Sequence, residues 1–194
     1  MNALLNEEQR DALQELMNIS MGQAANALAR LIETRITLSI PKIVAATPAE
    51  FSALLSQNDA CWFTRQSFMG TVNGEALTIL TKDGCEALAE AMGYDLPLSE
   101  ASGRELVLEL ANILAGACLS GFAEQLELAA KLNMPTLYTP EVTNNGIDQF
   151  RWVSTLLLEV EFSVDCSKFD SKVIICLEPR SVETLLSSIQ RLLE

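Results

Sequence analysis

Residues 14–22 read QELMNISMG and residues 108–116 read LELANILAG, and this pair of stretches decides how the chain folds. Each belongs to a longer pattern that occurs twice, as Asp11-x3-Glu15-x2-Asn18-x22-Pro41 and as Glu105-x3-Glu109-x2-Asn112-x22-Pro135. Nine positions are identical between the two windows of thirty-one residues. Packing alone would retain apolar positions, not a carboxylate and an amide at a fixed offset. The repeat therefore predicts two equivalent polar sites on one pseudo-symmetric molecule.

Each copy of the pattern lies on a predicted amphipathic helix. Asn6-Glu7-Glu8-Gln9 reads as a capping box that starts the first helix, and Ser102-Gly103-Arg104-Glu105 reads as another for the second. At about 100° per residue, Glu15 and Asn18 lie roughly 60° apart on the stripe that Asp11 and Gly22 share. The opposite, apolar faces carry Leu13, Met17, Ala24, Leu28 and Leu31 in the first helix and Val107, Ala111, Cys118 and Phe122 in the second. Both helices are predicted to bury one face and present Glu and Asn outward.

A glycine follows each Asn by about one helical turn, at Gly22 and Gly116. A glycine inside a helix costs about 1 kcal/mol relative to alanine, so its presence in both copies needs a reason. One reason is the close approach of a partner's backbone to the polar stripe. The other is tight packing of the helix against a sheet.

The segments after the two long helices are predicted to be strands and shorter helices. In the first half these are a β-rich stretch over 36–44, a short helix from residue 47, strands over 62–69 and 75–81 around Asn73-Gly74, and a helix from Asp83 that ends at Gly93. In the second half they are a strand over 136–142, a turn at 144–146, strands over 151–164 and 169–177, and a helix over 181–193.

This order predicts an α+β fold with pseudo-two-fold symmetry, in which two long helices pack on antiparallel sheet with shorter helices beside them. Residues 1–194 are expected to form a single domain, built from pseudo-repeats over about 6–93 and 99–194 that residues 94–98 join. The strands belong either to two sheets or to one continuous sheet.

Composition excludes several classes of function and location. The net charge of −13 argues against nucleic acid and anionic membrane surfaces as partners, since both require clustered Lys and Arg. No uninterrupted apolar run is long enough to cross a bilayer, and the amino terminus lacks the features of a signal peptide. Five scattered cysteines without a CxxC pair are typical of a reduced, cytoplasmic protein.

The chain has no histidine. Catalysis by Ser-His-Asp or Cys-His groups is therefore excluded, and the commonest zinc ligand is missing. There is no GxGxxG fingerprint and no Walker loop. Any catalysis must therefore use carboxylates, amides, hydroxyls or a group supplied by a partner. We expect the chain to bind no catalytic metal or cofactor of its own.

The duplicated pattern, with QELMN at residues 14–18 and AANAL at residues 24–28, resembles the CheC branch of the CheC/CheX/FliY phosphatases of bacterial chemotaxis. The resemblance covers nearly the whole chain and implies a duplicated CheC-like fold. CheX-like chains are similar but carry one motif, FliY-like chains add a flagellar domain, and the related middle domain of FliM lacks the Glu/Asn pair. Position 105 is Glu where the family prefers Asp or Ser.

The resemblance also implies a reaction, the hydrolysis of the aspartyl phosphate of a phosphorylated CheY-type response regulator. The regulator supplies the acyl phosphate, a bound Mg²⁺ and a lysine, so the phosphatase needs only to position water. By carry-over, Asn18 and Asn112 orient the attacking water, while Glu15 and Glu109 engage the regulator's lysine.

The remaining motif residues receive supporting roles from the same resemblance. Asp11 and Glu105 are expected at the rim of each site. Gly22 and Gly116 keep the stripe uncrowded, and Pro41 and Pro135 shape the strand beside each helix without touching reactive groups.

Several alternatives stay open at this point. A single Glu-x2-Asn pair on a helix is often a solvated surface pair, and Asp11 or Glu105 can serve a helix dipole instead of a partner. The chain could be a non-catalytic binding protein, either flagellar-switch-like or an adaptor that binds CheD. Because the duplication supplies both sites within one chain, we expect a monomer.

Overall fold

The computed structural model describes residues 5–46, 61–138, 155–164 and 169–194. In chain order the elements are α1 (Glu7–Ile32), β1 (Ile36–Leu38), β2 (Lys42–Ala46), β3 (Cys61–Gly70), β4 (Gly74–Thr81), α2 (Lys82–Ala89), α3 (Glu100–Gln125), β5 (Ala130–Leu132), β6 (Thr136–Tyr138), β7 (Thr155–Val164), β8 (Asp170–Leu177) and α4 (Pro179–Leu193). The predicted short helix from residue 47, the turn at 144–146 and the ends of the strands predicted over 136–142 and 151–164 lie outside the described residues.

The two long helices begin with side-chain caps. The Asn6 side chain accepts a hydrogen bond from the Gln9 backbone N–H at 2.8 Å, and the Gln9 side chain accepts one from Asn6 N–H at 3.1 Å, which confirms the first capping box. The second capping box, predicted at Ser102, is wrong. Helix α3 begins three residues earlier, because Ser99 adopts an extended conformation and its Oγ accepts from the Ser102 N–H at 3.1 Å.

All eight described strands belong to one antiparallel sheet, which confirms the α+β class and the continuous-sheet alternative. The order across the sheet is β1-β7-β8-β4-β3-β5. In addition, β2 pairs with β7 and β6 pairs with β3. The hairpins β3–β4 and β7–β8 therefore meet at the centre, where β4 pairs with β8. The short strands of each half pair with the hairpin of the other half, so the halves are interlaced.

Pro41 and Pro135 each sit in a bulge at the same place in the two halves. Leu38 pairs with Phe162 but Lys42 pairs with Glu159, so residues 39–41 (the first bulge) face only residues 160–161. In the same way, residues 133–135 (the second bulge) face only residues 66–67. A bulge tolerates proline because proline has no N–H to give to the ladder. The fixed distance from Asn to Pro in both motifs thus reflects a repeated break in the sheet.

Helices α1 and α3 pack against each other and against one face of the sheet. At their contact a Cβ on Gly121 would overlap the Gln23 side chain and lie 3.0 Å from Ser20 Cα, so this glycine permits the close approach. The Gln125 side-chain amide donates to the carbonyl of Leu16 at 3.0 Å and joins the helices. By contrast, a Cβ on Gly22 or Gly116 would meet nothing within 4 Å. Tight packing against the sheet therefore does not explain the two motif glycines.

The predicted apolar faces are buried, with one exception. Leu13, Met17, Ala24 and Leu28 are fully buried, as are Val107, Ala111, Cys118 and Phe122. Leu31 is 39% exposed, and Ile32 is buried in its place. The prediction assumed a rotation of about 100° per residue, and small departures from this angle accumulate over the sixteen residues from Glu15 to Leu31. Helix α3 is long and apolar enough to cross a membrane by length and composition, but 61% of its apolar window is buried inside this fold, as in a core helix of a soluble protein.

The end of the first half also differs slightly from prediction. Helix α2 ends at Ala89, four residues before the predicted C-cap. The chain then turns, and Gly93 takes the left-handed conformation (φ 81°) while Tyr94 N–H donates to the Ala89 carbonyl at 2.9 Å. This turn places Tyr94 beside helix α3.

Candidate functional site

The structure presents the two motifs as two exposed stripes, one on each long helix. The first site consists of Asp11, Glu15, Asn18 and Gly22 on α1, and the second site consists of Glu105, Glu109, Asn112 and Gly116 on α3. Both carboxylates and the amide of each site are exposed, and the glycines are half-buried. In each site the Glu and the Asn lie almost one turn apart on the same side of the helix.

The first site is connected to the sheet through its bulge. The Gln14 side chain donates a hydrogen bond to the carbonyl of Pro41 at 3.3 Å, which ties the first bulge to α1 next to Glu15. Pro41 itself is buried. Within the described ranges, the side chains of Glu15 and Asn18 make no hydrogen bond. Their polar groups face outward from the stripe.

The second site is held by two side chains outside the motif. The Tyr94 hydroxyl donates to Glu109 Oε2 at 3.0 Å, and the Gln66 amide donates to Asn112 Oδ1 at 3.1 Å. Burial raises the pKa of Tyr94 to about 12, helped by its hydrogen bond to Glu109 and by the charges of Glu109 and Glu105. Tyr94 is therefore a neutral donor at physiological pH. The two sites share their motif but differ in what restrains it.

An exposed apolar side chain stands in each bulge, immediately before the proline. Ile40 is 72% exposed and Met134 is 82% exposed, and the two occupy the same position in the duplicated pattern. Isolated exposed apolar residues are common. Here, however, the duplication repeats one in the bulge of each half.

The residues that hold the sites could not be found from the repeat. Alignment of the halves pairs Gln66 with Val160 and Gln14 with Leu108, so neither glutamine recurs. Tyr94 lies in the joint between the halves, which the repeat does not cover. These contacts arise only when the strands and the joint fold against the helices.

Three of the described cysteines are poorly suited to thiol chemistry. Among the described cysteines, Cys118 and Cys176 are fully buried, and burial raises the pKa of both thiols. Burial, with the nearby Cys61 and Glu86, raises the pKa of Cys85 to about 12. Since the thiolate is the reactive form, these cysteines are poor nucleophiles at neutral pH.

A carboxylate and an amide one turn apart can bind a cationic side chain and hold a water molecule. The amide supplies both an acceptor and a donor, and the carboxylate supplies a charge. Such a site carries no nucleophile of its own. It is suited to a partner that brings the reacting group.

Comparison with known proteins agrees with the first motif and with the fold. Residues 8–44 match the model of the CheC-like family, and this match contains the whole first motif. FliY of Thermotoga maritima superimposes with a TM-score of 0.69 at 16% identity, over 97% of this chain and 99% of that chain. CheX of Desulfovibrio desulfuricans gives 0.58 at 17% identity, over 84% and 99%.

A third solved structure has the same fold. The FliM middle domain of H. pylori gives a TM-score of 0.62 at 12% identity, over 95% of this chain and 99% of that chain. The first motif therefore matches the CheC-like family model over residues 8–44, and the chain shares its fold with FliY, CheX and the FliM middle domain.

Proposed function

We propose that this protein is a phosphatase of phosphorylated CheY-type response regulators, acting in the cytoplasm in chemotaxis or related two-component signalling. The observation that carries the proposal is the pair of exposed Glu/Asn stripes, which lie on equivalent helices of a CheC-like fold. The FliM-like alternative does not account for a water-orienting amide in both halves.

The reaction needs little chemistry from this chain. Asn18 or Asn112 holds a water molecule in line with the phosphorus, using its amide oxygen to accept from the water and its NH₂ to donate. The water oxygen forms the new bond to phosphorus, the bond to the regulator's aspartyl oxygen breaks, and phosphate and a carboxylate are released. The Mg²⁺ and the lysine belong to the regulator, and Glu15 or Glu109 contacts that lysine.

The surroundings of each stripe support docking of a folded partner. Gly22 and Gly116 leave open space one turn beyond each Asn. Ile40 and Met134 add an exposed apolar side chain to the bulge of each half. A partner helix or loop that carries a lysine and an apolar side chain fits this combination.

The test is dephosphorylation of candidate regulators that have been phosphorylated with a small acyl phosphate donor. The wild-type protein should accelerate loss of the phosphoryl group. The double variant Asn18→Ala/Asn112→Ala should lose roughly a hundredfold or fall to the regulator's spontaneous rate, since misplaced water costs about this much. Asn26→Ala is the matched control, because Asn26 is an exposed amide on α1 outside the site.

Two results would contradict the proposal. Full activity in the double variant would show that the amides do not orient the water. Tight binding of phosphorylated regulator without acceleration would favour the second candidate, a binding protein of the flagellar-switch kind or an adaptor for CheD, and this candidate is supported by the FliM middle domains that share the fold.

A further inference from the structure

Three amides form a connected cluster under the second site. Gln66 lies on β3 and is 1% exposed. Its Nε2 donates to Asn112 Oδ1 at 3.1 Å and to the Asn133 backbone carbonyl at 3.2 Å. The two N–H groups of this amide therefore have one acceptor each. Asn133 belongs to the second bulge, so Gln66 joins the bulge to the site.

The direction of every hydrogen bond in the cluster follows from the Asn133 carbonyl. The bulge is fixed to β3, because Asn133 N–H donates to the Ser67 carbonyl at 2.9 Å and its side chain donates to Ser67 Oγ at 2.8 Å. A backbone carbonyl can only accept, so Gln66 must turn its NH₂ toward it. A reversed Gln66 amide would place Oε1 against the oxygens of Asn133 and Asn112. Asn112 must then present its oxygen to Gln66.

We infer that Gln66 is a positioning residue of the second site, which fixes the Asn112 amide with Oδ1 inward and Nδ2 on the side away from Gln66. This inference rests on the proposed function and adds to it how one site is ordered before the regulator binds. Asn112 keeps its NH₂ and one lone pair of Oδ1 for the attacking water. The first site has no equivalent side-chain amide to hold Asn18, since the position equivalent to Gln66 is Val160.

A second observation indicates that stability alone does not account for a glutamine at position 66. Its Oε1 is buried without a hydrogen-bond partner among the described residues. A buried amide that leaves one polar atom unsatisfied is unfavourable compared with an apolar side chain of the same size. The NH₂ group and its two acceptors give a reason to keep glutamine here.

The first experiment compares Gln66→Met in two backgrounds. With Asn18→Ala only the second site remains, and Gln66→Met should lower kcat about two- to tenfold, the cost of ordering one freed side chain, with little change in KM. With Asn112→Ala only the first site remains, and the loss should be below twofold. Equal losses in both backgrounds would mean that Gln66 acts through the fold, and no loss in the first background would overturn the inference.

The second experiment does not depend on phosphatase activity. The side-chain NH₂ signals of Asn112 and Asn18 can be assigned by their absence from Asn112→Ala and Asn18→Ala, and their ¹⁵N relaxation then reports order. Asn112 should be more ordered than Asn18 in the wild-type protein and should lose that order in Gln66→Met. Equal mobility in the wild type would refute the positioning role. Failure of the proposed function would instead appear as full activity in Asn18→Ala/Asn112→Ala.

Discussion

Replacing the motif glycines by alanine separates folding from docking. A Cβ on Gly22 or Gly116 meets nothing within 4 Å, so the fold has room for the methyl group. Alanine gains about 1 kcal/mol of helix propensity over glycine, and part of this gain comes from restricting the unfolded chain. Each substitution should therefore raise the free energy of unfolding by about 0.5–1 kcal/mol.

In a chain of this length a gain of that size corresponds to a rise in Tm of roughly 1–4 °C for each variant. Under the proposed function the same methyl groups stand on the stripe that faces the regulator, so dephosphorylation should slow even though the fold is more stable. Unfolding is followed in urea and by thermal denaturation, and turnover is measured on phosphorylated regulator. The double variant should combine both effects, since the two glycines lie on different helices.

Two other glycines serve as controls. Gly103 on α3 also has open space around its Cβ but lies off the stripe, so Gly103→Ala should not slow turnover. In Gly121→Ala the new methyl group would overlap Ser20 and Gln23, and this overlap should outweigh the gain in helix propensity. The free energy of unfolding should therefore fall by up to about 2 kcal/mol. A more stable Gly22→Ala/Gly116→Ala protein with unchanged turnover would refute the view that these glycines admit a partner.

Three further predictions concern the sites and their surroundings. Glu15→Ala with Glu109→Ala should weaken the binding of a regulator that carries a phosphate mimic, and it should also lower turnover. Asn18→Ala with Asn112→Ala should lower mainly turnover. Equal losses of affinity in the two double variants would refute this division. Ile40→Ser with Met134→Ser should weaken binding of the regulator that carries a phosphate mimic several-fold. The Tm should not fall, because both side chains are exposed. Unchanged affinity would show that the bulges are not part of the docking surface. In an absorbance titration Tyr94 should ionise with a pKa of about 12 in the folded protein, against about 10 in the unfolded chain. The stability that this hydroxyl contributes should therefore be complete below about pH 10 and be lost as the pH rises through about 12. A titration curve that Tyr94→Phe leaves unaltered would contradict this pKa for Tyr94.

The sequence predicted those features that depend on local pattern. Helical periodicity identified both long helices and their buried faces, and the Asn73-Gly74 signal identified the hairpin of β3 and β4. The cap of α3 was misplaced because Ser99 and Ser102 are both good cap residues within one turn. Propensity alone cannot choose between them.

The features that were missed depend on contacts between distant residues. Pairing of β1 and β2 with β7 joins residues more than a hundred positions apart and leaves no spacing signal. Gln66 and Tyr94 reach the second site only through the sheet and the joint. The role of Gly121 at the helix contact is likewise invisible in a pattern that marks Gly22 and Gly116. The catalytic and rim roles of the motif residues remain predictions.

The interlaced strands have a consequence for how the chain could be divided. Because β1 and β2 complete the hairpin of the second half, and β5 and β6 complete that of the first, neither half contains a finished sheet. A protease cut within residues 94–98 should leave two fragments that stay associated, and separately expressed fragments should reconstitute the fold by complementation. In evolutionary terms, an ancestor of half this length would have had to exchange strands with an identical copy, and gene fusion would have turned that exchange into a single chain.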